Sequence, residues 1–465
     1  MLLFYYRRPP NLDHTSAYVH EPPINRLPPE ILAKILEFRE LDQDLLVATH
    51  VCHYWRSALI SAPCLWTRIM CYEVDNASTY LERSKSAPID VVAVTTPLVS
   101  PNDLALELVI PHLGRVRSMR ILPTFGETLP ALFGFRSPTP LLQHLEISGF
   151  PRGHMSRLPR DFLGCHLPSL RSLTWGDSSL IPAPFPLSNF THLSYDAAEA
   201  PGPLRVVLGL ISLAPHLEHL SISILDPNVS PDPPPVHDIH LDSLRHLELV
   251  SGAALSLALP HFKAPQLKEF SLILPSRFGV ETIADLLPSD SYPLVTEVTS
   301  MDFYAGPGDC GIKLSGEGIR FTVATFFPRA NPSDNFFSMT SFSFKQITRL
   351  VLRMMAKPIA GRICEFTNLE LLDLIRCEED AEVFSALSPY PGQVSLATCP
   401  HLAAMRVAFY NPIAHVVDSF KQMVRSRKEA GNPLMTVNLM FFDHMDMMLD
   451  LNELNKWLGQ PPVLE

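Results

Sequence analysis

Four stretches decide the fold: PSLRSLTW at 168–175, SNFTHLSY at 188–195, APHLEHLSI at 214–222 and DSLRHLEL at 242–249. Each carries one phrase, apolar-x-x-apolar-x-apolar, set just after a short polar or Pro-bearing turn. In the first it is Leu170, Leu173 and Trp175; in the last it is Leu244, Leu247 and Leu249. The second half of the phrase alternates apolar and polar, the period of a half-buried strand. A single strand cannot bury that face by itself. Copies must stack so that their apolar sides form one continuous core.

The phrase recurs in both directions from there. Further copies start at Val116, Leu142, Leu267, Ile347, Leu369, Leu402 and Leu434, with a weak one at Val295-x-x-Val298-x-Ser300. Starts fall 20 to 33 residues apart except for one gap of 52, where a degenerate unit is expected near Ile319–Val323. This phrase at this period resembles the leucine-rich repeat. The resemblance implies an α/β solenoid, with parallel strands on a concave face and helices and loops on the convex face. The repeats are irregular, and the Pro-rich run Asp226–Pro235 reads as loop.

Residues 24–69 read INRLPPEILAKILEFRELDQDLLVATHVCHYWRSALISAPCLWTRI. Pro28 and Pro29 suit a helix start, where early N–H groups have no intrahelical partner. Glu30 complements the positive helix end. Ile31, Leu32, Ile35 and Leu36 recur at helical spacing, Leu45-Leu46 marks a second helix, and Val51, Cys52, Trp55 and Leu59 mark a third. So short a unit buries little surface alone. The block Leu27-Pro28-Pro29-Glu30-Ile31-Leu32, Ile35-Leu36, Leu45, Val51-Cys52, Trp55-Arg56 and Pro63-Cys64-Leu65-Trp66 resembles the F-box, with His53-Tyr54 standing where the family often has basic residues. The resemblance implies docking on the Skp adaptor of cullin-RING (SCF) ubiquitin ligases. Leu27, Pro28, Ile31, Leu32, Ile35, Leu45, Val51, Trp55 and Trp66 are the candidates for that interface or its support.

Between these units, Ala77, Tyr80 and Leu81 share a helical face, Pro88 ends it, and Ile89–Val94 reads as a strand. This linker resembles that of F-box families of mushroom-forming fungi. The expected organisation is a tail at 1–23, the F-box at 24–70, a capping helix at 71–88, the solenoid at 89–442, and a C-terminal capping helix and tail at 443–465.

Histidine precedes the second apolar residue in four phrases, at His144, His192, His219 and His246. With Glu146, Ser221 and Glu248 they form a candidate cargo surface on the polar face. Arg120, Arg349, Arg353 and Arg406 fall on the same face. Gly306–Gly311 matches G-x-G-x-x-G, but Ile312–Ser315 is no helix start, so a glycine-rich hairpin is expected rather than a dinucleotide site. His50 and His53 lack further ligands at metal spacing. Asp443, Asp446, Asp450 and Glu453 lack the spacing of a calcium loop.

The chain has 465 residues, 46% hydrophobic and 18% charged, with a net charge of −11. No basic stripe points to nucleic acid. Eight scattered cysteines without a C-x-x-C pair read as reduced thiols in an intracellular protein of the cytoplasm or nucleus. No apolar run is long enough for a membrane span. No catalytic motif, cofactor or metal is expected. The expected role is a substrate-recognition adaptor, with Skp, cullin-RING ligase and an unknown protein as partners. The alternative is a non-degradative Skp-binding protein or a repeat scaffold that only binds protein.

Overall fold

The computed structural model describes residues 23–37, 42–94, 102–122, 130–148, 161–165, 167–176, 189–196, 208–209, 211–212, 214–224, 239–251, 262–274, 298–305, 309–326, 344–353, 357–375, 380–388, 398–409, 414–441 and 463–464. The expected N-terminal tail, the Pro-rich run at 226–235 and the C-terminal capping helix with its acidic residues lie outside them, save for Pro23 and Val463–Leu464.

The chain begins with three short helices: α1 (Pro29–Glu37), α2 (Asp42–Ala48) and α3 (His53–Ile60). Pro28 offers its carbonyl to the N–H groups of Ile31 and Leu32, which opens α1. Cys52 caps α3, its sulfur accepting from the Trp55 N–H at 3.5 Å. A fourth helix, α4 (Val74–Arg83), lies where the linker periodicity puts it and buries Ala77, Tyr80 and Leu81 as expected.

Among the described residues the strands form a separate two-stranded sheet and one 17-stranded sheet. Its first part runs β1 (Arg68–Met70), β2 (Ile89–Val94), β3 (Val116–Leu122), β4 (His144–Ile147), β5 (Ser172–Gly176), β6 (His192–Asp196) and β7 (His219–Ile224), all parallel neighbours. The two-residue strands β8 (Ile239–His240) and β10 (Phe262–Lys263) pair apart from it. The main sheet continues through β9 (His246–Ser251) and β11 (Glu269–Leu274). Then come β12 (Val298–Ala305), β13 (Asp309–Gly316) and β14 (Ile319–Phe326). It ends on β15 (Arg349–Arg353), β16 (Leu371–Ile375), β17 (Ala404–Phe409), β18 (Thr436–Phe441) and β19 (Val463–Leu464), again parallel.

Register follows the phrase. Leu145, Leu173, Leu193, Leu220, Leu247 and Phe270 are paired one to the next across β4 to β11, and all are buried. The phrase's first residue, such as Leu142, Leu170 or Leu217, sits in the turn before the strand and is buried as well. The residue just before each strand extends the ladder. The Arg171 N–H donates to Gln143, Glu218 to Thr191, Arg245 to Glu218 and Lys268 to Arg245, at 2.8–2.9 Å. Parallel pairing satisfies the backbone only when strands share this register.

Two features differ from expectation. The long gap holds an antiparallel meander: spatial order is β11–β14–β13–β12–β15, with β14 parallel to β11 and β12 parallel to β15. The degenerate unit near Ile319–Val323 is therefore β14, entered through the Glu317-Gly318 turn, where Gly318 takes φ +72°. The weak phrase at Val295 is also three residues out of register. Val298, Met301 and Phe303 are the buried set, and Met301 faces Leu350. The residues after Gly306–Gly308 form β13, an antiparallel partner of β12, as a hairpin requires.

The sheet also begins earlier than residue 89, because β1 follows directly on the helical segment. Trp66 is fully buried, its Nε1–H donates to the Leu59 carbonyl at 2.9 Å, and its ring meets Tyr80 edge-on at 4.9 Å. Arg115 donates to Ser84 Oγ and to the carbonyls of Leu81 and Ala87, fastening α4 to the sheet. Leu32 and Leu59 share one core with Ile89 and Met119.

Candidate partner-docking surfaces

The alternation of the phrase sends every second side chain of the strands to the face opposite the core. In the middle of the sheet this creates two rows. One reads Ser172, His192, His219, His246, Glu269 and Arg320 across β5, β6, β7, β9, β11 and β14; the other reads Thr174, Ser194, Ser221, Glu248, Ser271 and Thr322. Together they line a depression of about 560 Å³.

Its centre is a column of imidazoles. His192 and His219 stack at 4.1 Å between ring centroids, and His219 and His246 at 4.0 Å, each pair within 10° of parallel. Both faces of His219 are thus covered, and only its edge meets solvent. His192 Nδ1 lies 2.8 Å from Thr191 Oγ1. His246 Nε2 lies 3.3 Å from Glu269 Oε2, and Arg320 Nε is 3.7 Å from Glu269 Oε1. Ser221 donates to Glu248 at 3.1 Å. Burial pushes the His192 pKa below its ordinary value, with His144 and His246 adding to that and Glu218 opposing. His219 is lowered by burial and by its two stacked neighbours, against Glu218 and Glu269. These two rings therefore favour the neutral form at neutral pH.

Of the expected cargo residues, the structure brings together His192, His219, Ser221, His246 and Glu248. His144 stands one strand further out, with Ser172 between it and His192, and Glu146 is engaged by Arg120 at 2.5 Å. Glu269, Ser172 and Ser271 occupy the same phrase offsets as the histidines and Ser221, so the pattern contained them. Arg320 and Thr322 were hidden by the meander. The other arginines of this face are paired: Arg349 with Asp373 at 2.9 Å, Arg353 with Asp302 at 3.0 Å, and Arg406 with Asp373 at 3.9 Å.

The second surface lies on the N-terminal helices. In α1, Leu32, Ala33 and Leu36 turn inward and are buried, while Ile31 (48% exposed) and Ile35 (43%), one turn apart, turn out. Val47 (66%) at the end of α2 and Val51 (59%) after it are also exposed. Tyr54 donates its hydroxyl to the Leu27 carbonyl, and Trp55 Nε1–H donates to Asn25 Oδ1 at 2.9 Å. These branched apolar side chains face solvent beside the buried Leu32, Leu36, Leu45 and Leu59, and Ile24 and Ile60 are exposed as well. Residues 24–72 match the F-box-like family. No curated protein matches the chain.

The structure divides the expected docking residues of the F-box-like segment. Leu32, Leu45 and Trp66 are interior and support the fold. Leu27 and Trp55 are half-buried and fix the entry of the chain onto α3. Pro28, Ile31, Ile35 and Val51 are exposed. Val47, missed in the sequence, belongs with them: it follows the Leu45-Leu46 pair and periodicity alone does not tell which of three adjacent apolar residues turns out. His50 and His53 are exposed, and among the described residues no group of three His, Cys, Asp or Glu is placed to hold a metal. No described helix is long and apolar enough to cross a membrane.

Proposed function

We propose that this chain is a substrate-recognition adaptor of an SCF ubiquitin ligase. The F-box-like segment docks on Skp through Ile31, Ile35, Val47, Val51 and Pro28. The sheet, read as an irregular leucine-rich-repeat solenoid, presents cargo on its polar face. The observation that supports this most is the coincidence of the family match at 24–72 with exposed branched apolar residues next to buried ones. Solvent exposure of such side chains is unfavourable without a partner. Few interface residues carry most of the binding energy of such a surface.

The chain acts by proximity and contributes no catalytic group. Ubiquitin transfer belongs to other subunits, and the adaptor raises the local concentration of its target beside them. Trp66, Tyr80 and Arg115 bind the docking end to the sheet, so position is transmitted through packed structure rather than a slack tether. The site of action is intracellular. Affinity purification of the tagged full chain tests the reading: Skp and cullin co-purify, together with a ubiquitylated target. Skp without cullin would point to the non-degradative role, and absence of Skp would refute docking.

A further inference from the structure

We propose that the imidazole depression binds an extended, arginine- or lysine-bearing segment of a partner protein. This rests on reading the polar face as the cargo surface and adds the chemistry of the cargo.

The lining determines what fits. Its fixed charges are the carboxylates of Glu248 and Glu269 against one guanidinium, Arg320, which is already directed at Glu269. An anion would meet two carboxylates; a cation finds them on neighbouring strands. His192 and His219 offer ring edges with lone pairs, which accept from N–H donors. Ser194, Thr174, Ser271 and Thr322 add hydroxyls able to donate or accept.

Geometry removes other occupants. A flat aromatic ligand finds no ring face at the centre of the column, where both faces of His219 are taken. A metal ion needs converging nitrogens, whereas parallel rings 4 Å apart aim theirs side by side. The depression crosses six strands from β5 to β14. At about 4.8 Å per strand it runs roughly 24 Å, enough for about seven residues of extended chain. A cationic peptide lying across the strands would place successive side chains against Thr174 and Ser194, then the histidine edges, then Glu248 and Glu269.

The same column makes binding sensitive to acid. The charged and titratable groups facing it are His144, His192, His219, His246, Glu218, Glu248, Glu269 and Arg320. Protonation adds positive charge to the lining and repels a cation, while it would attract an anion.

Fluorescence anisotropy with the full chain tests this. The probes are two fluorescein-labelled peptides, one alternating Arg and Ser, the other Glu and Ser. The Arg peptide binds at least about tenfold tighter than the Glu peptide. Its binding weakens between neutrality and about pH 5.5. The double variant Glu248→Gln, Glu269→Gln loses about tenfold in affinity. Removing the same charge elsewhere, at Glu365 and Glu429, changes it by less than about twofold, which separates the site from general attraction to an acidic protein. Equal or tighter binding of the Glu peptide, or no loss in the double variant, would overturn the proposal. Skp binding is measured on the same preparations. If it persists while neither peptide binds, the cation proposal fails and the adaptor reading stands; if wild type binds no Skp, the adaptor reading fails instead.

Discussion

Trp66 and Ile31 show how two apolar residues in one short segment take opposite roles. Trp66 is wholly enclosed by Leu59, Tyr80 and Arg83, whose guanidinium carbon lies 4.3 Å from its ring centroid. Trp66→Ala should cost about 3–5 kcal/mol, read as a lower denaturation midpoint in urea. Ile31→Ala removes a half-exposed side chain and should change stability by less than about 0.5 kcal/mol while weakening Skp binding. A large loss of stability at Ile31 would contradict its outward placement. Cysteines divide in the same manner. Cys71 and Cys399 are buried and their thiols are pushed up to about 12, so little thiolate forms near neutrality. Iodoacetamide on the native protein should label Cys64 and Cys364, which are exposed, and spare Cys71 and Cys399 until the chain is unfolded. Labelling, followed by peptide mass spectrometry, checks this.

At the scale of elements, much of the sheet was legible because each phrase encodes its own strand and register. Leu145, Leu173 and Leu193 mark positions that pair directly in space. What stayed hidden has a physical reason. The meander breaks the one-strand-per-phrase rule, since two hairpins need no helical crossover and so change the spacing. β1 is three residues long and cannot display an alternation. The helix Ala414–Glu429 is a further case, for an arginine is buried in it as fully as Phe420, Met423 and Val424. Arg427 is buried and donates to the carbonyls of Thr398 at 2.8 Å and Cys399 at 3.0 Å, tying the helix to the turn before β17. Burial lowers its pKa, yet it stays charged and adds donors to the carbonyls of that turn. Arg427→Ala should cost about 3 kcal/mol, because it removes these charge-assisted bonds and opens a cavity. Thermal denaturation checks it, and an unchanged midpoint would show that the turn is held by other means.

In the whole molecule, the F-box-like segment and the sheet share one buried core. The candidate cargo residues were legible in part: the phrase offset marks the histidines and Glu269, but not the stacking of three of the rings or the place of Arg320 at the end of the row. That stack has a consequence for stability. His192 and His219 have folded pKa values below the ordinary 6.5, so the unfolded chain takes up protons first as pH falls through 6.5. Their effect is absent above that range, and stability is lost below it. The melting temperature should therefore drop between neutrality and about pH 5.5, and drop less in His219→Asn; an equal drop in that variant would assign the effect to other groups. The central claim is that the outer side of α1 docks on Skp while its inner side only supports the fold. Titration calorimetry of purified Skp against the full chain and its Ile31→Asp, Ile35→Asp variant tests it most directly. The account predicts tight binding by the natural chain and a loss of at least about a hundredfold in the variant, with the melting temperature of the two proteins alike. Skp binding that survives the double substitution, or that is absent from the natural chain, would contradict it.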